Sequence, residues 1–123
     1  MRRVAAAAGL VALVGCATER DYDGPPRPAA EVALIAGAPS INAGLPLAAV
    51  IRKVDAHVVG FGYSKVTVPP GRHVLLVDCV MAMAHTTTRF EIAAEVAAGQ
   101  RYVLVADSAP GNQRCSGVRL EPR

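Results

Sequence analysis

Apolar and charged residues alternate along the second half of the chain, most clearly over 86–96. Apolar residues occupy every second position from Phe90 to Val96, and Glu91 and Glu95 lie between them. A period of two places alternate side chains on opposite faces of a strand. This run therefore predicts a β-strand with one buried face. A helix is the competing interpretation, because the run is rich in helix formers. We prefer a strand, because three threonines precede the run and a Gly-containing turn follows it.

Similar reasoning predicts six to eight short strands between residue 31 and the C-terminus. The run His73–Val80 is predicted as the central strand, with Leu75, Val77 and Cys79 on its buried face and Asp78 on the other. The other predicted strands are β-prone runs bounded by turn residues: 31–37, 47–54, 58–63, 65–68, 102–106 and 115–120. Residues 38–46, which contain Pro, Gly and Asn, are predicted as a loop. The predicted fold is an all-β, antiparallel β-sandwich.

Pro69-Pro70-Gly71 separates two of these predicted strands. Proline presets the backbone for the second position of a type II turn, and glycine supplies the positive φ required at the third. The sequence therefore predicts a hairpin that joins strand 65–68 to strand 73–80.

The first fifteen residues have the layout of an export signal. Arg2 and Arg3 are followed by an apolar run over 4–14. This run is shorter than the roughly 20 residues of a membrane-spanning helix. A short apolar run after a basic start is typical of a signal peptide, so a signal helix is predicted over 1–15.

This apolar run ends in Leu13-Val14-Gly15-Cys16, which resembles the lipobox of bacterial lipoproteins. The resemblance implies cleavage before Cys16, lipidation of its thiol with acyl chains such as palmitate, and attachment to a membrane. Ala17 follows where inner-membrane lipoproteins often have Asp, which implies an outer-membrane anchor facing the periplasm. An ordinary signal peptide with a chance cysteine is the alternative.

Residues 17–30 are predicted as a flexible tether that follows Cys16. This stretch contains prolines, Gly24 and several charges, without an apolar period. In a polyproline-like state it would extend about 40 Å, at ~3.1 Å per residue. The predicted organisation is a signal peptide over 1–15, a lipidated Cys16 with its tether over 16–30, and a β-sandwich domain over 31–123.

Three local patterns resemble PEGA-type β-sandwich domains and small proteobacterial lipoproteins. They are the Val54-Asp55 turn, the stretch Val68-Pro-Pro-Gly-Arg-His-Val74, and Ala98-Gly-Gln-Arg-Tyr102 ahead of a β-prone run. Ala56 stands where such domains often have glycine. The resemblance implies a binding or scaffolding module without catalytic residues.

Composition excludes some classes of function. The chain has 13 basic and 10 acidic residues, and loss of Arg2 and Arg3 leaves a net charge close to neutral. Only 4% of the residues are aromatic, so single-stranded nucleic acid has no stacking platform. The stretch 60–64 lacks both the Gly-x-Ser-x-Gly of a hydrolase and a dinucleotide loop. We therefore expect no enzyme, no cofactor and no nucleic-acid partner.

Cys79 and Cys115 remain after lipidation of Cys16. In an oxidising compartment they are best interpreted as a disulfide, with two free buried thiols as the alternative. A strand continuing beyond Cys79 would place Met81, Met83 and His85 on one face, where soft ligands could bind Cu(I). Packing of the methionines in the core is the preferred interpretation, so no metal site is predicted. His57 and His73 are both interpreted as plain surface residues.

The leading hypothesis is a non-catalytic lipoprotein, anchored to the membrane, that binds an envelope protein or another envelope component. The alternative is a periplasmic Cu(I)-binding lipoprotein that uses Met81, Met83 and His85.

Overall fold

The computed structural model describes residues 18–37, 39–42, 45–60, 62–111 and 113–123. The predicted signal peptide and Cys16 lie outside these residues. The described part contains one short 3-10 helix, Ala29–Glu31, and ten strands. The strands are β1 Thr18–Arg20, β2 Ala33–Gly37, β3 Pro39–Asn42, β4 Leu45–Val54, β5 His57–Val58, β6 Lys65–Val68, β7 Gly71–Met81, β8 Thr86–Val96, β9 Arg101–Ser108 and β10 Cys115–Pro122.

The strands form two sheets. Sheet A has the order β1-β6-β2-β9-β10, and sheet B has the order β3-β4-β7-β8 with β5 paired to β4. The predicted all-β sandwich is therefore confirmed. Sheet B is antiparallel throughout, whereas sheet A is mixed because β1 pairs with β6 and β2 pairs with β9 in parallel.

The core lies between the sheets and consists mainly of Val, Ile, Leu and Ala side chains. Leu75, Val77 and Cys79 on β7 are fully buried, as the sequence predicts. The strand over 86–96 is also confirmed, and its Ala94 and Val96 point into the core. The helical alternative for this run is wrong, because β8 pairs with β7 along its whole length.

A disulfide joins Cys79 on β7 to Cys115 on β10, with the two Cα atoms 6.4 Å apart. Both cysteines are buried, and they pack with Leu47, Met81 and Ala106 in a second core cluster. Because β7 belongs to sheet B and β10 to sheet A, the disulfide connects the two sheets covalently.

The predicted hairpin at Pro69-Pro70-Gly71 is wrong. Strand β6 pairs with β1 and β2 in sheet A, while β7 pairs with β4 and β8 in sheet B. The turn residues thus connect the two sheets instead of two neighbouring strands. Gly71 does adopt a positive φ of 123°. A positive φ at this glycine therefore does not specify which strands pair.

Two boundaries also differ from prediction. Within the predicted loop 38–46, residues Pro39–Asn42 form β3, which pairs with the first residues of β4. The predicted strand 58–63 is reduced to the last residue of β5, because Gly62 takes a positive φ of 91° beyond it.

The stretch predicted as a tether contributes to the fold. Thr18–Arg20 forms β1, and the Asp21 N–H donates a hydrogen bond to the Thr67 carbonyl at 2.9 Å. The alternation of Glu19 and Asp21 with Arg20 suits an edge strand, whose two faces lie in different environments. Because β1 begins at Thr18, the folded domain starts two residues after Cys16.

No helix in the described ranges is long and apolar enough to span a bilayer.

Candidate functional site

The residues of the copper alternative are not brought together. Strand β7 ends at Met81, which is fully buried in the second core cluster. Met83 lies in the following turn with 67% of its surface exposed. His85 has a positive φ of 55°, which breaks the period of two. The copper alternative required Cys79, Met81, Met83 and His85 to line one face of a strand, and in the structure they do not.

A different cluster lies at the open edge of the sandwich, where β1 faces the β4–β5 hairpin. It consists of Glu19 on β1, Asp21 just after β1, and His57 on β5. One potential ligand atom from each side chain lies within 4.8 Å of the others. Asp21 Oδ1 is 3.3 Å from His57 Nδ1. The residues come from both sheets, since β1 belongs to sheet A and β5 pairs with β4 of sheet B.

The two carboxylates of this cluster are incompletely satisfied. Glu19 Oε1 accepts a hydrogen bond from the Gly60 N–H at 2.8 Å. The other oxygen, Glu19 Oε2, and Asp21 Oδ1 are both buried and accept no hydrogen bond. Burial raises the pKa of Asp21 above its ordinary value, His57 opposes this shift, and the Glu19 charge adds to it. Unsatisfied buried carboxylate oxygens are unfavourable, so this arrangement favours a positive charge between them.

Gly60 allows Glu19 to reach this position. A Cβ atom at residue 60 would lie 3.0 Å from Glu19 Oε1 and 3.0 Å from the Tyr63 ring. Any side chain here would therefore push the Glu19 carboxylate away from the backbone N–H that orients it.

A second polar pair lies beside the cluster. The two ring nitrogens of His73 are each 2.7 Å from an oxygen, Nδ1 from Asp55 Oδ2 and Nε2 from the Pro69 carbonyl. The Val74 N–H donates to the other Asp55 oxygen. Neither the carbonyl nor an ionised carboxylate can donate, so both imidazole nitrogens must carry a proton. Burial alone would lower the pKa of His73, but these hydrogen bonds raise it above its ordinary value.

Asp78 is a charged residue that is buried in the structure. Both of its carboxylate oxygens accept hydrogen bonds. Arg89 donates two hydrogen bonds to its carboxylate, and Arg52 donates a third. The hydrogen bond from Arg89 lowers the pKa of Asp78, burial raises it, and the hydrogen bond from Arg52 lowers it further. The pKa of Asp78 therefore lies below its ordinary value. This triad ties β4, β7 and β8 together on the outer face of sheet B.

The outer face of sheet A carries a groove of about 390 Å³ beside β1. Its lining includes Tyr22 and three arginines: Arg20, Arg27 and Arg101. Arg20 and Arg27 both lie near the face of the Tyr22 ring, with their guanidinium carbons 5.7 and 4.8 Å from the ring centroid. Within the described residues, none of the three arginines forms an ion pair with a carboxylate. The groove therefore offers positive charge to a partner.

Sequence reasoning missed both sites. Glu19, Asp21 and the groove residues Arg20 and Tyr22 lie in the stretch interpreted as a tether, and His57 was interpreted as a surface residue. The period-two pattern of Glu19 and Asp21 was a usable signal for one shared face. No local signal indicates that His57 lies opposite that face, because the pairing of β1 with β6 brings them together.

The chain matches no protein-family model, no curated protein and no solved structure.

Proposed function

We propose that the protein is a non-catalytic lipoprotein of the bacterial cell envelope that is anchored through Cys16 and binds an anionic envelope component. The observation that carries this proposal is the lipobox Leu13-Val14-Gly15-Cys16 after a basic start and a short apolar run. Several acyl chains on one cysteine hold a protein firmly to a membrane, whereas a single chain binds only marginally. The resemblance to outer-membrane lipoproteins, through Ala17, supports an outer-membrane location facing the periplasm.

The arginine groove supports the binding part of this proposal. Guanidinium groups without a carboxylate partner favour phosphate or carboxylate ligands, which they contact through paired N–H donors. Arg20 is the last residue of β1, on the side away from Cys16, and it pairs with Thr67. Leu34 on β2 pairs with both Thr67 and Arg101, so Arg101 lies at the same end of the sheet. A partner in the periplasm can therefore reach the groove while the lipid anchor remains in the membrane.

Metabolic labelling with a fatty acid in the bacterial host tests the anchor. We expect the wild-type chain to be labelled and cleaved, and the Cys16→Ser variant to remain an unlabelled precursor, because serine lacks the thiol that accepts the lipid. Cys79→Ser is the matched control and should be labelled normally. Normal labelling of Cys16→Ser would overturn the proposal. On the same membranes, crosslinking to an envelope partner should be lost in an Arg27→Glu variant.

A further inference from the structure

We propose that Glu19, Asp21 and His57 form a binding site for a divalent transition-metal cation, with Zn²⁺ as the best-fitting ion. The site is independent of the lipid anchor and of the arginine groove. It lies where the edge strand of sheet A meets the β4–β5 hairpin of sheet B.

Two buried carboxylate oxygens of the cluster accept no hydrogen bond. The Asp21 side chain is only 4% exposed, and its Oδ1 points at His57 Nδ1 without accepting a hydrogen bond. Glu19 Oε2 is likewise buried and without a hydrogen bond. Two such carboxylates at one place are costly unless a cation compensates them. A divalent ion would satisfy both oxygens at once.

The spacing of the potential ligand atoms fits a tetrahedral Zn²⁺. Two ligand atoms on a tetrahedral Zn²⁺ lie about 2.0–2.2 Å from the ion and thus roughly 3.4 Å from each other. The separation of Asp21 Oδ1 and His57 Nδ1 is 3.3 Å. All three ligand atoms lie within 4.8 Å, so a movement on the order of 1 Å, within reach of the Glu19 side chain, completes the set.

A neighbouring backbone N–H orients the Glu19 carboxylate, and a surface cavity leaves the site open to solvent. The Gly60 N–H holds Glu19 Oε1, which leaves Oε2 for the ion, and such outer partners are typical of metal sites. His57 is 58% exposed and lines a surface cavity of about 290 Å³ that also contacts Asp21, Asp23 and Asp55. An ion can therefore enter from solvent, and a water molecule can take the fourth position.

The ligand set selects the class of ion. Two carboxylates alone would suit Ca²⁺ or Mg²⁺, which prefer six or more oxygen ligands. An imidazole favours Zn²⁺ and its neighbours in the first transition row, and affinity for Zn²⁺ generally exceeds that for Mn²⁺. We therefore expect the order Zn²⁺ above Mn²⁺ above Ca²⁺.

Titration calorimetry on the full-length, tag-free protein, purified in detergent and stripped with chelator, tests the site. We expect one Zn²⁺ per chain. Loss of a ligand should weaken binding at least as much as the roughly 10–100-fold typical of outer-shell substitutions. The ligand variants are Asp21→Asn and His57→Asn. Their matched controls are Asp107→Asn and His85→Asn, which lie outside the cavity beside His57 and should bind as the wild type does.

Hydrogen exchange locates the ion on the structure. Zn²⁺ should slow exchange of the Asp21 amide, which donates to the Thr67 carbonyl, because the ion ties β1 to β5. The same addition should leave the turn at His85 unchanged. Circular dichroism confirms that each variant is folded, and Glu19→Gln replaces Asp21→Asn if the latter is not.

Three results would overturn the proposal. One is the absence of saturable Zn²⁺ binding. Another is wild-type affinity in both ligand variants. The third is Ca²⁺ binding as tight as Zn²⁺ binding with no effect of His57→Asn, because the imidazole would then not be a ligand.

Discussion

His73 is held by oxygen acceptors at both ring nitrogens, and its side chain is only 12% exposed. The hydrogen bonds require the doubly protonated imidazole, and they hold the Asp55 carboxylate in its ionised form. The His73 hydrogen bond, followed by the Val74 N–H, lowers the pKa of Asp55. This pair fixes the turn between β4 and β5, where Asp55 takes a positive φ of 54°.

The raised pKa of His73 predicts a pH dependence of stability. A group whose pKa is raised by folding contributes stability that is present below its unfolded pKa, near 6.5. This contribution is lost as the pH rises through the folded-state pKa. We expect a loss on the order of 1 kcal/mol between mildly acidic and mildly alkaline pH, because Asp55 is half exposed and water screens the pair.

Urea unfolding in the presence of chelator, repeated across this pH range, measures the effect. Both His73→Gln and Asp55→Asn should flatten the dependence. Asparagine also tolerates the positive φ at residue 55, so its effect reports the charge instead of backbone strain. An unchanged slope in both variants would contradict the assignment of an imidazolium.

Strand β1 lies in the stretch that the sequence predicts as a tether. Residues 18–20 pair with β6 instead of serving as a spacer, so the folded domain begins two residues after Cys16. Two residues span at most about 7 Å, compared with about 40 Å for the expected tether. If Cys16 carries the lipid, β1 therefore holds the domain against the bilayer.

This position of β1 predicts which end of the sandwich faces the lipid. Thr18 pairs with Lys65 at the start of β6, and the register places the turn after Met81 towards that same end. The turn around Ala98 lies at the opposite end of β8, about 35 Å away along an 11-residue strand. A fluorophore on Met83→Cys should be quenched by quencher lipids more strongly than one on Ala98→Cys. Equal quenching at both positions would show that the domain stands off the membrane.

At the scale of the whole molecule, the two sheets are joined by apolar packing and by one covalent link. The Cys79–Cys115 disulfide closes a separation of 36 residues and connects the central strand of sheet B to the last strand of sheet A. The core consists largely of small and branched side chains, with few aromatic residues to add buried area. The disulfide therefore carries a large share of the constraint between the sheets.

We expect the double variant Cys79→Ala with Cys115→Ala to lose about 2–5 kcal/mol of the free energy of unfolding, because the open loop has more conformational entropy when unfolded. Urea unfolding measures this loss, and alkylation of the wild type with and without reductant checks the bridge. Met83→Ala is the control, since Met83 is exposed and should leave the stability within about 0.5 kcal/mol of the wild type. A stable double variant would show that packing alone joins the sheets.

Local pattern predicted most of the longer strands of this protein, whereas β1 and β3 lie in stretches interpreted as a tether and a loop. Alternation over 86–96 and 73–80 is a property of consecutive residues, so the strands and their buried faces followed from the sequence. Cys79 and Cys115, the two cysteines outside the lipobox, likewise predicted the disulfide, and Leu13-Val14-Gly15-Cys16 carries the proposal of a lipid anchor without reference to any fold.

Only the tertiary structure decided which strands pair and which distant residues meet. Pro69-Pro70-Gly71 has hairpin chemistry, yet it connects two sheets, because strand pairing depends on the burial of whole faces instead of on the turn. Three strands, β2, β3 and β4, separate Glu19 from His57 along the chain, and the parallel pairing of β1 with β6 places them together. A non-local pairing leaves no trace in the adjacent residues, so local pattern could place Glu19 and Asp21 on one face but could not predict that His57 lies opposite them.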